Sequence, residues 1–234
     1  MNFFGHLAVA RRVDEDPSFL LGAMAPDLLR MCGVAAEPAT SSTVAAGQRH
    51  HLEVDARFHD SSAFTGLYKW AARALVEAGL PRGPARGAAH VGIELFLDGL
   101  LSGDVPARAA YARCLAEAEA ADAPLAFADE PSRLRWRMLL ARLRVATIPD
   151  DYRDPDFVAA RLVGTLARRP RLALAPSAAI VLRTFLPGLK ARVADQADAL
   201  VAAARALGTP TGVINAEGTD TGCGGPPTAE SARS

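Results

Sequence analysis

The stretch 88-AAHVGIELFLDGLLS-102 decides how the rest of the chain is read. His90, Glu94 and Asp98 recur every four residues, so on an α-helix they stack along one face, about a turn apart. Val91, Ile93, Leu95, Phe96 and Leu97 fill the positions between them, leaving a helix that is apolar around most of its circumference. Such a helix is suited to burial. Two carboxylates on it are costly unless they are paired, protonated or bound to a metal.

The same spacing occurs upstream. In 47-GQRHHLEVDARFHDSSAF-64, His51, Asp55 and His59 stand four apart, and the segment holds three of the chain's five histidines. Neutral imidazole and ionised carboxylate are good ligands for Mn, Fe or Zn, and groups at i and i+4 share one ion or bridge two. The neighbouring His50, Glu53, Arg57 and Asp60 read as a solvated face. The competing reading makes the triplet the rim of that face, with Asp55 bonded to Arg57 or His59. Two single ionisable groups in apolar settings complete the candidates: His6 in "MNFFGHLAVA" and Asp27 in "LLGAMAPDLL". Each alone reads equally well as a hydrogen-bonded core residue. Together they matter more, because an antiparallel bundle brings such helices around one site.

Helical periodicity dominates the remainder. Helices are expected over 18–30, with Pro26 as a break or kink, then over 44–58, from Ser61 or Ser62 to 78, and over 88–101. Further helices are expected over 106–121, 131–145, 156–168, 177–186 and 189–207, with Pro187 as a kink or break. The stretches 37–43, "GLPRGPARG" (79–87) and "IPDDYRDP" (148–155) read as connections. Strand-like runs are nearly absent, so the fold is expected to be an all-α, single-domain helical bundle over 1–207. From Gly208 the composition turns to Gly, Thr, Pro and Ser, and 208–234 reads as a disordered tail.

Half of the 234 residues are apolar and the formal net charge is zero, which marks a globular chain without the broad basic footprint of a nucleic-acid binder. The three cysteines are too few and too scattered for a disulfide framework or a thiolate zinc cluster. No run approaches the ~20 apolar residues of a membrane span. A soluble, cytoplasmic protein of unknown oligomeric state is the expectation.

Read in order, these segments resemble the bacterial acyl carrier protein phosphodiesterases, also called acyl carrier protein hydrolases, a helical variant of the HD-type phosphohydrolases. The likeness runs through "MNFFGHLAVA", "LLGAMAPDLLR", "GQRHHLEVD" and "IELFLDGLLS", and is most specific in "DFVAARLVGTLARRPRL" (156–172). Two positions depart from the family pattern: His59 stands where an Asp is usual, and Gly99 where a His is usual. The resemblance implies an HD-like helical fold, and hydrolysis of the phosphodiester joining 4′-phosphopantetheine to a carrier-protein serine. It implies a divalent metal, Mn²⁺ first, with Fe²⁺ and Zn²⁺ as alternatives. His6, Asp27, His51, Asp55 and Asp98 are the expected ligands, Glu94 is a ligand or general base, and His59 and His90 are acid candidates. Arg168, Arg169 and Arg171 are expected to dock an acidic acyl carrier protein. "GAMAPDLL" and the His/Asp set also resemble zinc-dependent phospholipase C-like proteins. A helical binding module without catalysis is the remaining alternative.

Overall fold

A computed structural model describes residues 1–35, 37–120 and 125–205. These form ten α-helices, with no β-strand among the described residues, as the periodicity predicts. The expected tail at 208–234, and the ends of two expected helices at 121 and at 206–207, lie outside the described residues.

The central element is the one whose sequence says least. Helix α1 (Phe3–Ala10) buries every one of its residues. A helix buried all round has no polar face, so it carries no amphipathic signature. Around it pack α2 (Pro17–Cys32), α3 (Ser42–Asp60), α5 (Arg82–Leu101), α6 (Val105–Ala120) and α10 (Ala197–Arg205). Helix α4 (Ser62–Glu77) lies on α5, α7 (Glu130–Val145) on α2 and α6, and α8 (Pro155–Ala167) and α9 (Ala178–Asp195) on α5. Buried apolar side chains from all ten helices join one continuous core.

Local chemistry explains most of the helix starts. The side chains of Asp16, Ser41, Ser61, Asp129 and Asp154 each accept a backbone N–H from the first turn of the helix that follows. Each such cap satisfies a donor that the helix itself leaves free. Ser61, rather than Ser62, caps α4.

Proline and glycine account for the departures from expectation. Helix α2 runs through Pro26 and α9 through Pro187 without ending. Each proline removes one backbone hydrogen bond, and burial of apolar residues on both sides holds the helix together. The actual interruption near the C-terminus falls at Gln196, between α9 and α10. Helix α5 begins at Arg82, inside the stretch expected to be a connection. Pro84 falls in its first turn, where the missing N–H has no partner to lose. Gly83 and Gly99 of this helix serve close packing: a Cβ would stand 2.7 Å from the Arg171 carbonyl oxygen and 2.6 Å from the Tyr152 carbonyl carbon, respectively.

The tightest helix crossing is between α2 and α3. A Cβ on Gly22 would meet the Val44 carbonyl oxygen at 2.2 Å, and one on Gly47 would meet the Phe19 carbonyl oxygen at 2.1 Å. In an open helix Gly→Ala stabilises by about 1 kcal/mol. At this crossing the sign reverses, because the obstacle is backbone and cannot swing aside. Gly47→Ala is expected to destabilise by about 1–3 kcal/mol, read as a lowered midpoint in thermal or urea denaturation. An unchanged or raised midpoint would contradict the crossing.

Candidate metal centre

The site is assembled around the entry to α1. Asp98, buried on α5, accepts the Phe4 N–H at Oδ2 (3.0 Å) and the Gly5 N–H at Oδ1 (2.8 Å). It thereby does from another helix what an N-cap residue does locally. Burial pushes its carboxyl pKa well up, against the pull of the two N–H donors. Both of its oxygens are engaged by backbone, and it lies outside the two groups of converging ligand atoms.

The inner group consists of His6 on α1, Asp27 on α2 and His51 on α3. One ligand atom from each lies within 4.8 Å of the others, so the three could hold a metal ion. The two imidazoles stack, with ring centroids 3.8 Å apart. His51 Nδ1 stands 2.9 Å from the Ala23 carbonyl oxygen and so carries its proton there, leaving Nε2 with a lone pair. His6 Nε2 stands 3.1 Å from the Met1 carbonyl oxygen, while its buried Nδ1 has no partner. Burial keeps both rings neutral, lowering His6 to about 3 and His51 to about 4. Asp27 Oδ2 is also buried without a partner, and burial raises this carboxyl to about 7. Two neutral imidazoles and an unsatisfied carboxylate oxygen form a donor set that suits a divalent transition ion. Buried polar atoms without partners are uncommon, and their concentration here fits a bound group.

The outer group consists of His59, His90 and Glu94. Glu94 Oε1 alone faces three donors: the Met1 α-amine at 3.0 Å, His59 Nε2 at 3.0 Å and His90 Nε2 at 3.1 Å. Burial would raise the Glu94 pKa, but these donors hold it well below the usual range. Asp55 joins the two groups. Its Oδ1 lies 3.1 Å from the Met1 α-amine and 3.5 Å from His6 Nε2, and its Oδ2 lies 3.3 Å from His59 Nδ1. His59 faces acceptors at both nitrogens, since Nδ1 also lies 2.9 Å from the Asp55 carbonyl oxygen. Burial opposes charge on this ring, and its contacts with Asp55 and Glu94 overcome that, raising its pKa to about 9. His59 is thus an imidazolium held between two carboxylates.

These residues floor one side of a cavity of about 650 Å³. Arg30, Arg161, Arg168 and Arg169 line it as well. Arg171, expected beside Arg168 and Arg169, does not line it; its backbone packs on α5 at Gly83. Of the expected site residues, the structure therefore brings His6, Asp27, His51, Asp55, His59, His90 and Glu94 together and diverts Asp98. Gly99 is also accounted for. The backbone of Tyr152 and Arg153 occupies the place a side chain would take, and Arg153 Nε donates to the Gly99 carbonyl at 2.7 Å.

Sequence reasoning missed the Met1 amine, Asn2, Tyr152 and Arg161. The amine belongs to no motif. The other three come from the chain start, a 3-10 turn at Asp150–Arg153 and α8, which no local spacing relates. The chain matches no family model, no curated protein and no solved structure.

The charge pattern sets the pH response of the metal-free chain. The His59 pKa of about 9 lies above the ordinary 6.5, so its stabilisation is complete below pH 6.5 and is lost as pH rises through 9. For His6 and His51, at about 3 and 4, stabilisation is present above pH 6.5 and is lost as pH falls toward those values. Stability of chelator-treated protein should fall on both sides of neutrality. Imidazole ¹⁵N NMR near neutral pH should show His59 doubly protonated and His6 and His51 neutral. A His59 titrating in the ordinary imidazole range would contradict the two-carboxylate clamp.

Proposed function

We propose that this chain is a metal-dependent phosphodiesterase. The observation that carries the reading is the inner group. His6, Asp27 and His51 offer nitrogen lone pairs and an unpartnered carboxylate oxygen, buried together where Asp27 lines a cavity that also presents arginines. His6, Asp27 and His51 would hold a divalent ion, with Asp55 and Glu94 next to them as further oxygen donors. Such an ion supplies charge neutralisation at phosphoryl oxygen and a bound water of lowered pKa. Mn²⁺ is proposed first, on the resemblance; Fe²⁺ and Zn²⁺ suit the same nitrogen and oxygen donors.

The chain's own residues divide the remaining work. Asp55 and Glu94 hold the proton-bearing nitrogens of His59. The imidazolium stands ready to deliver a proton to a departing alkoxide, which suits a group that otherwise leaves poorly. His90, next to Glu94 and more exposed, is the second acid candidate. Arg168 and Arg169, on the cavity wall, draw in an anionic substrate; Arg168 is held in place by donating to the Met31 carbonyl at 3.0 Å.

The proposed substrate is the 4′-phosphopantetheine diester of holo-acyl carrier protein, cleaved to the apo form. Its support is the resemblance, together with Arg168 and Arg169 at the cavity, which make no ion pair with a described carboxylate and suit an acidic partner. Arg171 would contribute only to the outer part of such a docking surface.

Protein purified without chelator is expected to carry stoichiometric Mn, Fe or Zn, and metal at a hundred times its Kd should add about 2.7 kcal/mol of stability. Asp27→Asn and His51→Gln should weaken metal binding by at least tenfold and lower turnover in parallel. A panel of holo-carrier protein, simple phosphodiesters and phospholipid identifies the substrate. A metal-free protein whose melting is indifferent to all three ions would overturn the reading.

A further inference from the structure

The polar groups lining the cavity include a set that the metal-dependent reading does not use. Asp55 and Glu94 are engaged by Met1, His6, His59 and His90. A second set of lining groups offers hydrogen-bond donors without partners among the described residues. Tyr152 is completely buried, lines the cavity, and its hydroxyl makes no hydrogen bond. The Asn2 side-chain NH₂ is likewise buried, faces the same cavity and has no partner. Arg161, one of the cavity arginines, lies beside the phenol and makes no ion pair with a described carboxylate. Asn2 and Arg161 both approach the phenolic oxygen, yet neither meets hydrogen-bond geometry.

Buried donors without acceptors are rare in folded proteins, because each forfeits its water without replacement. An amide NH₂, a hydroxyl and a guanidinium converge here on one corner, and burial keeps the Tyr152 phenol protonated, with its pKa pushed up to about 12. A ligand that satisfies all three must consist of acceptors and carry negative charge. Arg recognises such groups through its planar fork, and a tetrahedral phosphoryl group offers several oxygens in different directions.

We infer that Asn2, Tyr152 and Arg161 form an oxyanion subsite that binds a phosphoryl group without a metal. Its existence is independent of the phosphodiesterase reading. Its role as the part of the site that grips the substrate's phosphoryl oxygens rests on that reading.

The test is a titration of the full chain, stripped of metal by chelator, with orthophosphate, methyl phosphate and acetate, followed by calorimetry and ³¹P line broadening. Wild-type protein is expected to bind both phosphates and to ignore acetate. Arg161→Gln should weaken phosphate binding at least tenfold. Tyr152→Phe should weaken it about fivefold while leaving the melting temperature unchanged or higher, since the variant removes an unsatisfied buried hydroxyl. A merely structural Tyr152 hydroxyl would instead leave the phosphate affinity of Tyr152→Phe unchanged. Methyl phosphate binding at least as tightly as orthophosphate marks an ester subsite, and preference for orthophosphate marks a free-phosphate subsite of the same chemistry. Absence of phosphate binding, equal binding by both variants, or competition by acetate would overturn the inference. Because no metal is present, failure of metal binding or turnover leaves this result untouched, and failure here leaves the metal titration untouched.

Discussion

Everything at the site depends on the seat of α1, and that seat depends on Asp98. The first turn of a helix exposes N–H groups that need acceptors, and α1 begins inside the core where no water can serve. Asp98 reaches across from α5 to accept two of them. The contact is close enough that a Cβ on Gly5 would stand 2.9 Å from Asp98 Oδ1. With α1 so anchored, the Met1 amine, Asn2 and His6 are delivered to the meeting point of α2, α3 and α5. The carboxylate that looked most like a ligand is the one that builds the platform for the others.

Charge balance follows from this placement. Asp55 and Glu94 share the Met1 amine and His59, and Glu94 is largely removed from water, an arrangement that is unfavourable without cations. The Met1 amine and the His59 imidazolium supply them. The amine keeps its charge because the pull of Glu94 and Asp55 outweighs the penalty of burial. Asp27 lacks such a partner beyond Arg30 at 3.5 Å, and it is the carboxyl left with an unsatisfied oxygen. The region therefore divides into a compensated outer part and an uncompensated inner part, and the inner part is where two neutral imidazoles point.

How much of this was legible depends on range along the chain. His51 with Asp55 and His59, and His90 with Glu94, could be paired from sequence because the i, i+4 geometry of a helix is local and nearly invariant. Helix existence was legible for the same reason. The starts of α5 and the passage of α2 and α9 through proline were not, since glycine and proline were being used for close packing and at buried positions, where tertiary contacts override local preference. Helix α1 escaped notice because complete burial erases the alternation that periodicity detects. The part Asp98 plays at α1 was not legible, because its backbone partners lie more than ninety residues away.

By itself, the sequence determined an all-α chain, the faces on which its histidines and carboxylates stand, and the absence, among the described residues, of any helix long and apolar enough to cross a membrane. These are consequences of backbone geometry and side-chain composition, which act within a few residues. Tertiary structure alone decided which faces meet. It joined His6, Asp27 and His51, gave Asp98 to the backbone of α1, clamped His59 between two carboxylates, and set Tyr152 and Arg161 in the lining of the same cavity. Those outcomes depend on how helices far apart in sequence satisfy one another's buried polar groups, a condition that can be met only when the whole core has closed.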